Sequence, residues 1–150
     1  MNALELKIPP LAVMLLCAAL MSRLATWLPA ALPAMPWFAA AVAAAGIGAI
    51  LAGSAAFCRH HTTANPHTPG KSRLIVADGI YRFSRNPMYL GMALLLAAWA
   101  LHLAQTAAWA GVAVFAAWIT RFQIIPEERI LTGKFGDAYR AYCRRTRRWI

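Results

Sequence analysis

Acidic side chains are nearly missing from this 150-residue chain: five Asp and Glu stand against fifteen Lys and Arg, a formal net charge of +10. Charge of either sign is scarce, at 13% of residues, where an ordinary soluble domain carries about 25%. Apolar residues reach 61%, against a usual 45–50% or so. A chain of this make-up cannot cover itself with polar surface, which excludes a soluble globule, and its apolar content excludes intrinsic disorder. Cysteine is sparse as well. Cys17, Cys58 and Cys143 are odd in number and show no paired spacing, so no disulfide framework is implied.

What the chain does have is long uncharged runs separated by basic segments. Eight of the fifteen basic residues follow Thr120, five lie between Cys58 and Pro87, and only Lys7 and Arg23 lie elsewhere. In a membrane protein, basic residues collect on the cytoplasmic side. Nucleic-acid binding is not expected, because no soluble module remains to carry it.

The first run, Leu11 to Leu28, follows Pro9-Pro10, which suits a helix start, and is interrupted by Arg23. A cleaved signal peptide is the competing reading. Glu5 offsets Lys7, however, and the run is long for a signal core, so it is taken as a span. The second run, Trp37 to Phe57, has 21 residues and reaches about 31 Å as a helix, enough to cross a bilayer. Its Ala45, Gly46, Ala49 and Gly53 form a small-residue seam for close helix packing. Met88 to Ile125 is 38 residues without Asp, Glu or Lys. As one helix it would extend about 57 Å, nearly twice the hydrocarbon core. It must turn back, and the polar cluster His102, Gln105 and Thr106 marks the place.

The expectation is an all-α, polytopic integral membrane protein of about four transmembrane helices with C-terminal interfacial helices and both termini cytoplasmic. One domain covers 1–150: two spans in 1–58, a cytoplasmic connection in 59–87, a helical hairpin in 88–125 and an interfacial tail in 126–150. In the connection, Asp78-Gly79 between apolar stretches signals a short extended turn. In the tail, Pro126-Glu127-Glu128 reads as a helix start with acids in the first turn. Gly133 and Gly136 read as breaks, and Asp137 to Trp149 as a basic, aromatic interfacial helix. The pairs Arg144-Arg145 and Arg147-Arg148 suit anionic headgroups. Cys58, His60, His61 and His67 match no standard zinc spacing, so no metal is expected.

Polar groups that could do chemistry cluster at the two inner boundaries. One cluster is Gly79 to Gly91, leading into the third span; the other is Glu127-Glu128, just after the fourth. A hairpin brings both to one membrane depth. Gly79-Ile80-Tyr81-Arg82, then Ser84-Arg85-Asn86-Pro87-Met88-Tyr89-Leu90-Gly91, then Glu127-Glu128 and Phe135-Gly136-Asp137-Ala138-Tyr139-Arg140-Ala141-Tyr142 resemble the isoprenylcysteine carboxyl methyltransferase family. More loosely they are similar to phospholipid N-methyltransferases. The resemblance covers about residues 65–150 and implies S-adenosylmethionine as cofactor. Carried onto this chain, it nominates Tyr81, Arg85, Asn86, Pro87, Tyr89, Leu90, Gly91, Glu127 and Glu128 as cofactor-binding residues. That donor carries a carboxylate, an ammonium and a sulfonium and so needs a cationic and an acidic partner. This points to Arg85 for the carboxylate and Glu127 or Glu128 for the amino group or ribose hydroxyls.

The chain also departs from these families. Asn86 stands where eukaryotic carboxyl methyltransferases commonly have His, and the Gly-x-Gly of phospholipid methyltransferases survives only as Gly91-Met92-Ala93. No general base is evident, so no catalytic residue is named. The implied activity is methyl transfer to a lipophilic small-molecule or lipid-linked carboxylate, thiol or amine at the cytoplasmic interface of a bacterial inner membrane, with membrane lipids as partners. A nicotinamide-dependent membrane reductase of related architecture and a small four-span transporter are the rival readings.

Overall fold

The computed structural model describes residues 5–29, 32–60 and 74–150. His61 and His67, two of the four residues of metal-ligand type named above, lie outside those residues. Within them the chain is helical and no strand occurs. Three helices start on a proline in the first turn, where the missing N–H costs nothing: α1 (Pro10–Trp27), α2 (Pro36–Arg59) and α3 (Pro87–Leu103). Ala104 then takes a left-handed conformation and Gln105 accepts the Ala107 N–H. The chain thus reverses beside His102 and Thr106, as the polar cluster suggests. It returns through a 3-10 turn (Thr106–Ala108) into α4 (Trp109–Ile119), a π-helical turn (Thr120–Ile124), α5 (Ile125–Phe135) and α6 (Asp137–Arg145).

Helices α1 and α2, and the run from Thr106 to Phe135, are long and apolar enough to cross a membrane; α3 is a shorter apolar helix of 17 residues. The apolar part of the Thr106 run ends at Ile125, so the residues from Pro126 onward lie past the span. The packing is that of a protein turned outward to lipid. Leu11, Leu15, Leu16, Leu20 and Leu24 of α1 and Phe38, Ile47 and Leu51 of α2 are exposed. Four exposed tryptophans, Trp27, Trp37, Trp99 and Trp109, stand near the two helix–helix turns that close one end of the bundle, the arrangement of an interfacial aromatic belt. The buried core joins Val13, Cys17 and Met21 of α1 to Leu96 and Ala100 of α3 and Phe115 and Ile119 of α4.

The α2–α3 seam is set by glycine. A methyl group on Gly46 would lie 2.8 Å from the Gly91 carbonyl oxygen, and one on Gly91 would lie 2.5 Å from that of Gly46. Backbones this close tolerate no side chain, which is why the buried stripe of α2 is Ala39, Gly46, Ala49, Gly53 and Ala56. Ala45, included in the expected seam, is exposed instead.

Three local expectations are corrected. Asp78-Gly79 does not make an extended hairpin: Gly79, at φ +55, opens a 3-10 turn (Gly79–Arg82). A hairpin needs two strands to pair, and the flanking residues pack against α2 instead, with Val76 and Tyr81 against Ala56. Gly133 does not break the tail. It lies inside α5, and the chain turns at Gly136, which has φ +54. Pro126 does not begin a new helix, because the helix runs through it. Proline cannot donate to the carbonyl four residues back, and its ring crowds that carbonyl. The π turn just before it accommodates the clash, and the Phe122 carbonyl accepts the Leu6 N–H at 3.0 Å instead. Gln123, fully buried, donates to the Ile8 carbonyl at 2.7 Å. Glu5 closes the same junction with Arg121 at 3.2 Å and Arg129 at 3.4 Å.

Candidate active site

The π turn matters for the chemistry because one extra residue in a helical turn rotates everything beyond it by about 100°. Beyond it are Glu127 and Glu128. The α3–α4 hairpin already sets the start of α3 beside the far end of α4. The rotation then delivers the two acids onto Tyr89 and Arg85.

Tyr89 donates its hydroxyl to Glu127 Oε1 at 2.6 Å. Among the described residues Glu127 makes no ion pair, and its second oxygen has no protein donor. Burial, reinforced by the adjacent Glu128 charge and opposed by the Tyr89 hydrogen bond, pushes its carboxyl up to about 7. Glu128 is the opposite case. Arg85 Nη2 donates to its Oε1 at 2.6 Å, Arg148 Nε to Oε1 at 3.1 Å and Arg148 Nη2 to Oε2 at 2.7 Å. Burial acts to raise this carboxyl, but the two guanidiniums outweigh it and hold the group below the usual carboxylate range.

Arg85 also fastens the C-terminal segment. Its Nη1 donates to the carbonyls of Cys143 at 3.0 Å and Thr146 at 2.9 Å, and its backbone N–H to that of Arg147 at 3.0 Å. The Arg85 Nε is buried without a partner among the described residues. Asn86 donates its side-chain amide to the Arg148 carbonyl at 3.0 Å. Tyr142 donates its hydroxyl to the Tyr81 carbonyl at 2.7 Å, and Trp149 its indole N–H to Thr120 Oγ1 at 3.2 Å. Residues 146–150 thus lie as a strap across the start of α3 and the π turn.

Of the nine nominated residues, the structure brings five into two adjoining groups joined by the Glu127–Glu128 backbone: Tyr89 with Glu127, and Arg85 with Glu128, where Asn86 holds the Arg148 carbonyl. Pro87 is buried at the start of α3, and the Leu90 N–H donates to the Asn86 carbonyl as the first helical bond of α3. Tyr81 is buried against Ala56 and Val76, stacked edge-on to Phe57 at 5.4 Å. Gly91 is not brought to the acids: two residues on from Tyr89 it lies about 200° around the helix and faces Gly46. Arg148, assigned to headgroups by its place in a basic pair, sits on Glu128 instead. The sequence carries no stronger signal for that contact than a basic residue close after the aromatic tail. Cys58 is exposed and His60 pairs with Asp78 at 2.9 Å. No cluster of three metal-ligating side chains occurs among the described residues.

No solved structure matches this chain. An uncharacterised protein of Haemophilus influenzae is 49% identical over 63 residues, which is 42% of this chain and the whole of that protein. The family model described as phospholipid methyltransferase matches residues 34–138, from just before α2 to the start of α6 and across both acids. An apolar helical bundle with a charged network at the mouth of its hairpin, matched over most of its length by that model, belongs to the phospholipid methyltransferase family.

Proposed function

We propose that this membrane protein transfers a methyl group from S-adenosylmethionine to a lipophilic acceptor at the cytoplasmic face of a bacterial inner membrane. The observation that carries the reading is Glu127: a carboxylate with no cation of its own among the described residues, oriented by Tyr89, beside two guanidiniums where the apolar helices end. S-adenosylmethionine carries a carboxylate, an ammonium and a sulfonium. The residues present fit it, since the unpaired Glu127 oxygen suits the ammonium and the guanidiniums suit the carboxylate.

When bound, the donor supplies an electrophilic methyl group on a positively charged sulfur. The reaction neutralises charge, so it needs alignment and a dry site more than a dedicated acid or base. Tyr89 and Glu127 fix one end of the ligand, the Arg85–Glu128–Arg148 network fixes the other, and the apolar faces of α3 and α4 keep water out. The acceptor reaches the same depth from lipid. The Arg-x-Pro-x-Tyr run at Arg85 to Tyr89 extends the likeness toward the isoprenylcysteine carboxyl methyltransferases, so carboxylate, thiol and amine acceptors all belong in the screen. No feature of the described residues favours the reductase or the transporter.

The test is transfer of tritiated methyl from S-adenosylmethionine in membranes that overproduce the protein. Label in the organic-extractable fraction, absent from membranes making Glu127→Gln at equal level, supports the reading. Label no higher than in vector-control membranes, across lipid and small-molecule fractions, contradicts it.

A further inference from the structure

The two guanidiniums at Glu128 are not equivalent. The Arg85 side chain is 11% exposed and that of Arg148 is 38% exposed. Arg85 is already committed: both terminal nitrogens bond to Glu128 or to backbone carbonyls, and its remaining donor, Nε, is buried. Arg148 spends one edge, Nε and Nη2, on Glu128 and leaves Nη1 without a partner among the described residues. One carboxylate between two guanidiniums also leaves the network with an excess positive charge, and that excess is accessible only on the Arg148 side.

The strap does not need the Arg148 head to stay in place. Its backbone is held by the Arg85 N–H on the Arg147 carbonyl and by Asn86 on the Arg148 carbonyl, and its far side by Trp149 on Thr120. The guanidinium is therefore presented by an anchored backbone, oriented by Glu128, with a free edge. That is how an arginine that receives a carboxylate is built.

We propose that Arg148, rather than Arg85, takes the carboxylate of the methyl donor, while Arg85 is a positioning residue that holds Glu128 and the strap. The proposal rests on the reading of this site as the donor site and deepens it. It assigns the ammonium to the Glu127 side and the carboxylate to the strap side.

The test is calorimetric binding of two ligands to the full chain in nanodiscs: S-adenosylhomocysteine and its decarboxylated analogue, S-adenosyl-3-thiopropylamine. Wild type should prefer S-adenosylhomocysteine. Arg148→Gln should weaken that ligand on the order of ten- to hundredfold, the worth of a charge-assisted hydrogen bond, and leave the analogue unchanged, so that the preference vanishes. Arg148→Lys should recover part of it. Equal weakening of both ligands would mean that Arg148 only braces the strap, and an undiminished preference would place the carboxylate elsewhere; either overturns the assignment alone. Failure of wild type to bind either ligand would remove the donor site itself.

Discussion

Glu127 and Glu128 are neighbours of one residue type, and the fold gives them opposite electrostatics, so their substitutions should behave oppositely. Glu127 has an ordinary value of 4.5 raised to about 7 in the fold. The folded state then holds its proton more tightly than the unfolded chain. The stability this contributes is complete below about 4.5 and is lost as pH rises through about 7. Glu127→Gln keeps an oxygen for Tyr89 and removes the charge. Thermal unfolding in detergent should therefore show the variant more stable than wild type at pH 8, by on the order of 3 kcal/mol, and little different at pH 4. Glu128→Gln should be destabilising by about 3–5 kcal/mol at neutral pH, because it leaves two guanidiniums facing no carboxylate. Loss of ligand binding in that variant would say little about contact with the donor, which makes Glu127 the better probe. If the ammonium of S-adenosylhomocysteine approaches Glu127, its binding should also release a proton near pH 7. The binding enthalpy would then depend on buffer ionisation in wild type and not in Glu127→Gln.

At the scale of the helix, glycine separates close packing from mere tolerance. Gly91→Ala should cost about 1–3 kcal/mol, since the new methyl would meet the Gly46 backbone. Gly133→Ala, with nothing within 4 Å of the added carbon, should gain up to about 1 kcal/mol from helix propensity; unfolding midpoints would check both. The same scale shows what is legible in the sequence. Starts at Pro10, Pro36 and Pro87 can be read because each proline stands immediately before a long apolar run. That the run from Met88 turns back follows from its length, and the polar cluster His102, Gln105 and Thr106 places the reversal. Pro126 misleads because it sits within helical sequence, and its accommodation depends on the distant Leu6 N–H, which no local pattern reveals. Asp78-Gly79 misleads for a related reason: its neighbours have α2 to pack against and no need of each other. Of the site, Tyr89, Arg85 and the two acids are readable as motif residues. Which acid is paired and which is bare is not, because that depends on Arg148 arriving from the strap.

For the whole molecule, the match to the phospholipid methyltransferase family spans residues 34–138, which leaves α1 and the strap outside it. Both pack onto the π turn, α1 through the residues that lead into it and the strap through Trp149, so parts beyond the matched stretch brace the element that aims the acids. The positive charge gathered at the end opposite the tryptophan belt predicts that this end is cytoplasmic. Exposed Cys58, in a variant with the other cysteines replaced, should resist a membrane-impermeant maleimide in intact spheroplasts and react once they are permeabilised. Labelling in intact spheroplasts would reverse the orientation. The most direct measurement is calorimetric titration of S-adenosylhomocysteine into the nanodisc-embedded protein, wild type beside Glu127→Gln. Saturable one-to-one binding is expected of a methyl-donor site here, weakened by about tenfold or more in the variant. No binding by the folded wild type, or equal affinity in both, would contradict that expectation.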